Sequence, residues 1–141
     1  MRSLVDQSGL SSRIEVHSAG TAGWHRGELP DERSRAEARR RGIELTSRAS
    51  AFLPGDASFY DLVLAMDQRN ERDLRDRTDP AFHDRIVRLR TFDPALTLDD
   101  PWNGDVPDPW DGGDDGFVQV FDLIDAACRG LLVHLQTTRL A

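Results

Sequence analysis

Asp108 stands between Pro107 and Pro109 and is followed by Trp110. Each proline fixes its own φ and restricts the residue before it, so the carboxyl is presented from a stiff loop beside an aromatic face. A positioned acid next to a ring suits proton transfer involving an aromatic substrate, although a tight surface turn is the plainer alternative for Pro-Asp-Pro. Two further segments could join it. Ser18-Ala19-Gly20-Thr21 is a small-residue loop in which backbone can approach a ligand closely, and Asp67 directly follows a short apolar run. Taken singly, the first reads as a strand-to-loop turn and the second as a helix N-cap. The single cysteine, Cys128, could be a nucleophile. It follows Ala126 and Ala127 on an apolar helical stripe, however, where cysteine behaves as a small hydrophobe. Arg39-Arg40-Arg41 could hold an anion but reads as a solvated last helical turn. Asp105, Asp108, Asp111, Asp114 and Asp115 lack the spacing of a calcium loop, and His17, His25, His83 and His134 lack that of a metal site. No metal and no cofactor is expected.

The elements that must position these residues follow from periodicity. Arg2 to Leu10 reads as the end of a helix stopped at Gly9, and Arg13 to His17 alternates like a half-buried strand. Pro30-Asp31 opens a helix to about Arg41, with Asp31 as N-cap and Gly42 as the glycine that ends it. Leu62-Val63-Leu64-Ala65-Met66 is an unbroken apolar run of the kind found in parallel strands buried on both faces. A polar helix over Asp67 to Arg77 and a strand over Ile86 to Leu89 come next. From Thr91 to Gly116 the sequence reads as loop. Phe117, Val118, Val120, Phe121, Ile124, Ala127, Cys128, Leu131, Leu132 and Leu135 then mark a long amphipathic helix, with Asp114 and Asp115 at its dipole-positive start. Alternating strands and helices predict an α/β domain with a parallel sheet flanked by helices in three layers. Ligands of such sheets bind beyond the carboxyl ends of the strands. Ser18–Thr21, Asp67 and Asp108 all follow a strand.

The 141 residues fit one domain. All 18 basic residues are arginine, a usage that suits a GC-rich bacterial genome. Residues 1–60 carry nine Arg against eight acids, and residues 61–141 nine against seventeen. That balance argues against nucleic acid as a partner. No apolar run reaches membrane-spanning length, so no membrane partner is expected either. One cysteine excludes an internal disulfide framework and makes a reducing cytoplasm the default compartment.

Taken together, four stretches resemble the low-molecular-weight protein tyrosine phosphatases. They are His17-Ser18-Ala19-Gly20-Thr21 with Gly23 to Asp31; Arg41-Gly42-Ile43-Glu44-Leu45; Phe59 to Asp67 with Asn70 and Asp73-Leu74; and Val106-Pro107-Asp108-Pro109-Trp110 through Phe117 to Leu131. Each motif is weak alone, but their order and spacing run through nearly the whole chain. The resemblance implies hydrolysis of phosphotyrosine or another aryl phosphate monoester through a phosphocysteine. It places Asp108 on the general acid, Trp24 and Trp110 on the walls of the phenyl slot, and Ser18 and Asp67 on positions supporting the phosphate loop.

The same resemblance implies a C-x5-R loop between the first strand and first helix, whose cysteine is the nucleophile and whose arginine grips the phosphate. No C-x5-R occurs in these residues. The expectation is therefore a single, N-terminally truncated domain of the phosphotyrosine phosphatase I type, lacking its central first strand. Such a chain should be inactive alone and should expose strand edges through which copies could self-associate. The alternative is a non-catalytic relative that binds a phospho-ligand or a protein. Arg48 and Ala51 stand where the family often has His and Arg, and Asp111 replaces a second tyrosine, a smaller pair of departures.

Overall fold

The computed structural model describes residues 1–22, 26–109 and 113–140. Helix α1 (Arg2–Gln7) is followed by a left-handed Gly9 (φ +69°), where the Leu10 N–H returns to the Val5 carbonyl at 3.1 Å. Helix α2 (Glu32–Arg40) starts at Asp31, whose carboxylate accepts the Arg33 N–H at 2.8 Å, and ends before Gly42. Strand β1 (Val63–Ala65) runs into helix α3 (Gln68–Arg77), and strand β2 (Ile86–Arg88) pairs parallel with β1, Val63 opposite Ile86 and Ala65 opposite Arg88. A 3₁₀ turn over Leu89–Phe92 leads into an irregular segment, and helix α4 (Gly113–Thr138) closes the described chain.

The helices flank a parallel sheet, as the alternation predicts. Among the described residues that sheet has two strands. Residues 13–17 differ from expectation: Arg13 ends a turn, and residues 14–17 are irregular, not a strand. A strand is defined by its ladder, and among the described residues this segment has none: its backbone bonds are the turn in which the Arg13 and Ile14 N–H groups return to the Leu10 carbonyl at 2.9 Å each. The Arg2 guanidinium donates instead to the Val16 carbonyl at 2.9 Å. The nearest regular pairing is an isolated parallel bridge between Gly20 and Ala51.

Two apolar clusters form the core. Leu89, Ala127, Cys128 and Leu131 gather between α4 and the 3₁₀ turn, with Met1, Leu4, Leu62 and Leu64 against them. Ala65, Leu74 and Ile86 lie between the sheet and α3. The first cluster depends on a close backbone approach. A Cβ on Gly130 of α4 would overlap the Phe92 carbonyl, so only glycine fits there. No helix among the described residues is long and apolar enough to cross a membrane.

Candidate active site

The carboxyl end of β1 delivers Met66 and Asp67 to one edge of the sheet. Asp67 is extended (φ −143°), and its carboxylate accepts the Asn70 N–H at 2.7 Å, so the N-cap reading of this residue holds. Asn70, one turn into α3, reaches the Thr21 hydroxyl at 3.5 Å, and Arg77 donates to the Thr21 carbonyl at 2.6 Å. The helix that Asp67 starts thus holds the end of the Ser18–Thr21 loop. Ser18 itself is exposed, and its carbonyl accepts the Ser50 hydroxyl at 3.0 Å. It is brought to the same loop as Thr21, but not into contact with Asp67. Onward from Thr21 the path is fixed by backbone rungs: Gly20 N–H to Ser50 O at 2.7 Å, Phe52 N–H to Gly20 O at 2.9 Å, Gly27 N–H to Ala49 O and Ala49 N–H to Glu28 O at 2.7 Å each.

Asp108 reaches the same edge from the other side. The Val106 N–H donates to the Met66 carbonyl at 2.7 Å, which docks the Pro107-Asp108-Pro109 run directly against the end of β1. Asp108 is exposed, while Val106 before it is buried. Beyond it, the Pro109 side chain lies 3.7 Å from where a Cβ on Gly116 would sit, which fastens the loop to the first turns of α4.

The loop leading to Asp108 is built around two arginines. Arg90, 3% exposed, forms a two-pronged pair with Asp100, 2.8 Å on each prong, and donates to the Asp105 carbonyl at 2.9 Å. Arg88 donates to the Asn103 carbonyl at 2.8 Å and to Asp105 Oδ1 at 3.1 Å, and also meets Glu71 of α3 at 3.1 Å. Asp105 Oδ1 additionally accepts the Gln68 N–H at 3.0 Å. Asp100 takes the Gly104 and Trp102 N–H groups as well. The Arg90 guanidinium and then the Gly104 N–H hold the Asp100 carboxyl down at about 2. Sequence reasoning missed this network. Its trace was the Arg88-Leu89-Arg90 alternation at the end of a strand, which turns two cations to one side, ahead of an Asp-rich loop.

Trp24 and Trp110, and with them Asp111, lie outside the described residues. Cys128 is 5% exposed in the α4 core, and burial pushes its thiol up, which disfavours the thiolate a nucleophile needs. It packs as core. The arginine run that ends α2 is taken up by ion pairs. Arg41 meets Glu37 and Asp122 at 2.8 Å each, Arg40 meets Glu37, and Arg39 meets Glu44 at 3.6 Å. It is no anion patch. What the edge assembles is an exposed carboxyl on a stiff, doubly anchored loop, together with a small-residue loop tied to α3, the helix that follows β1. Such an arrangement can transfer a proton to a ligand seated beyond β1.

Comparison with known proteins gives a consistent picture. The family described as Low molecular weight phosphotyrosine protein phosphatase matches residues 1–140. The low molecular weight protein-tyrosine-phosphatase of Streptomyces coelicolor is 41% identical over 137 residues, covering 96% of this chain and 81% of that protein. The crystal structure of YfkJ from Bacillus subtilis aligns with a TM-score of 0.85 at 33% identity, over 98% of this chain and 83% of the other. A protein tyrosine phosphatase from Entamoeba histolytica aligns with a TM-score of 0.89 at 28% identity, over 96% and 84%.

Proposed function

Because the chain belongs to the low molecular weight phosphotyrosine protein phosphatase family, we propose that it provides the acid half of a phosphotyrosine or aryl phosphate hydrolase, with Asp108 as the general acid. In this reading a cysteine attacks phosphorus and the P–O bond to the phenol breaks. Asp108 gives its proton to the departing phenolate oxygen. The Asp108 carboxylate then takes a proton from water, which attacks the phosphocysteine and releases inorganic phosphate. Trp24 and Trp110 wall the ring's slot. Ser18 and Asp67 act in support, Asp67 by fixing the start of α3 and, through Asn70, the position of Thr21.

The observation that carries this reading is the placing of an exposed, proline-bracketed carboxyl at the strand edge by the Val106–Met66 bond. Leaving-group chemistry explains why it matters. A phenolate of pKa about 10 departs poorly unless protonated, and a positioned acid contributes about 10²–10⁴-fold.

The nucleophile and its arginine must come from a C-x5-R loop, which these 141 residues do not contain. Cys128 is sealed in the core and does not substitute. On its own, the chain is expected to turn over no p-nitrophenyl phosphate. With β1 paired on one side only among the described residues, it is also expected to run as more than a monomer on size exclusion. A cytoplasmic setting fits the lone, unpaired cysteine.

The test uses the protein with a C-x5-R segment in front of this chain. Asp108→Asn should cut kcat on phosphotyrosine by about 10²–10⁴-fold and cost much less on p-nitrophenyl phosphate, whose leaving group needs less protonic help. Asp111→Asn is the control, an acid of the same loop without the proline bracket. Equal losses on the two substrates, or a larger loss from Asp111→Asn, would overturn the assignment. A non-catalytic phospho-ligand binder is the second reading, favoured by the burial of the single cysteine. It requires the 141-residue chain to bind a phosphotyrosine peptide measurably, by calorimetry, without turning it over.

A further inference from the structure

The carboxyl edge is organised around one atom. Asp105 Oδ1 accepts from the Gln68 N–H, the first residue of α3, at 3.0 Å and from the Arg88 guanidinium, at the end of β2, at 3.1 Å. The carbonyl of the same residue accepts from buried Arg90 at 2.9 Å. Asp105 thereby ties α3, β2 and the incoming loop together, immediately before Val106 binds the end of β1. Between this knot and the Asp108 carboxyl, backbone freedom is small. Val106 is buried and bonded, and the φ angles of Pro107 and Pro109 are fixed. Pro109 also restricts Asp108 itself. The direction of the Asp108 side chain is therefore inherited from Asp105.

The α3 terminus that Asp105 engages is also the one Asp67 caps, and it holds Thr21 through Asn70. Both sides of the proposed site are tied to one helix, Asp105 at its first residue and Thr21 at Asn70 and, at its last residue, Arg77.

Resting on the general-acid reading above, we propose that Asp105 is a positioning residue for Asp108, fixing the proton donor relative to the ligand loop through α3 and Arg88. An acid displaced by about 1 Å loses its transfer geometry, at a cost on the order of 10²-fold. In the protein carrying a C-x5-R segment, Asp105→Ala should lower kcat on phosphotyrosine by about 10–100-fold and on p-nitrophenyl phosphate far less. Asp105→Asn keeps an oxygen for the Gln68 N–H and should recover most of that loss. In an Asp108→Asn background, Asp105→Ala should add almost nothing, since the group it positions is already gone.

A purely structural role would lower Tm and reduce both substrates equally, and that result overturns the proposal. So does a full additional loss in the Asp108→Asn background. The two readings fail differently. If Asp108→Asn shows no leaving-group dependence, the general-acid assignment fails. If Asp108→Asn shows it and neither Asp105 variant does, only the positioning role fails. Should Asp105→Ala not fold, Asp105→Ser, too short to reach both the Gln68 N–H and Arg88, takes its place: a loss larger on phosphotyrosine than on p-nitrophenyl phosphate supports the proposal, and equal losses or none on both count against it.

Discussion

Residues 18–52 and residues 62–109 both reach the carboxyl edge of the sheet, but they are held there by different means. The first region is fixed mainly by backbone rungs, 20 to 50–52 and 27–28 to 49, with lighter side-chain bonds from Asn70 and Arg77 to Thr21. The second is fixed by particular side chains: Arg90 on Asp100, Arg88 on Asp105, and Asp105 on the α3 N–H. There the path exists because of the residue types. A proton donor needs its position set to a fraction of an ångström, and a clamp of charged groups supplies that more stiffly than rungs open to water.

That contrast can be broken or sharpened by substitution. The largest effect is expected at Gly130, where the framework under the acid loop is tightest. Gly130→Ala drives a methyl into the Phe92 carbonyl and should destabilise by about 3 kcal/mol or more, seen as a large loss in urea midpoint. An unchanged midpoint would show that α4 and the 3₁₀ turn are loosely joined, and the second region less rigid than described.

A smaller effect with a distinctive pH profile is expected at Asp100. Its carboxyl binds a proton more weakly folded, at about 2, than at its ordinary value of 3.8. The stabilisation is therefore complete above about pH 4 and is lost as pH falls through about 2. Asp100→Asn should lower stability at neutral pH and flatten the decline between about pH 4 and about pH 2, followed by urea melts across that range. A variant as acid-sensitive as the parent would mean that the Arg90 pair does not hold the loop.

The smallest effect is expected in the first region. Ser50→Ala removes the hydroxyl bond to the Ser18 carbonyl but leaves both Gly20 rungs, so the change should stay within about 0.5 kcal/mol. A loss as large as that at Gly130 would erase the distinction between the two regions.

The same distinction explains what was legible in the sequence. Asp31 and Gly42 bracket α2, and Asp67 caps α3, because capping is local chemistry read from a few neighbouring residues. The proline bracket around Asp108 was equally local. Arg88, Arg90, Asp100 and Asp105 were not legible as a site, since their partners lie up to 37 residues away and nothing local marks a buried arginine. Residues 13–17 show the reverse failure. Their alternation is strand-like, but alternation describes a face and not a partner. Helix α4 begins at Gly113, ahead of its apolar stripe, and Gly116, which reads as loop, sits in its first turns against Pro109.

Cys128 has a practical bearing on how this fold can be interrogated. Alkylating and oxidising reagents act on exposed thiolates, and its sulfur is enclosed by Leu89, Ala127 and Leu131, with the thiol pushed up by burial. The native chain is therefore silent to such reagents. Any thiol that modifies rapidly, once a C-x5-R segment is joined to this chain, reports on the introduced cysteine alone. Labelling at Cys128 would in turn mark opening of the α4 core, so one reagent distinguishes nucleophile reactivity from unfolding without a cysteine-free background.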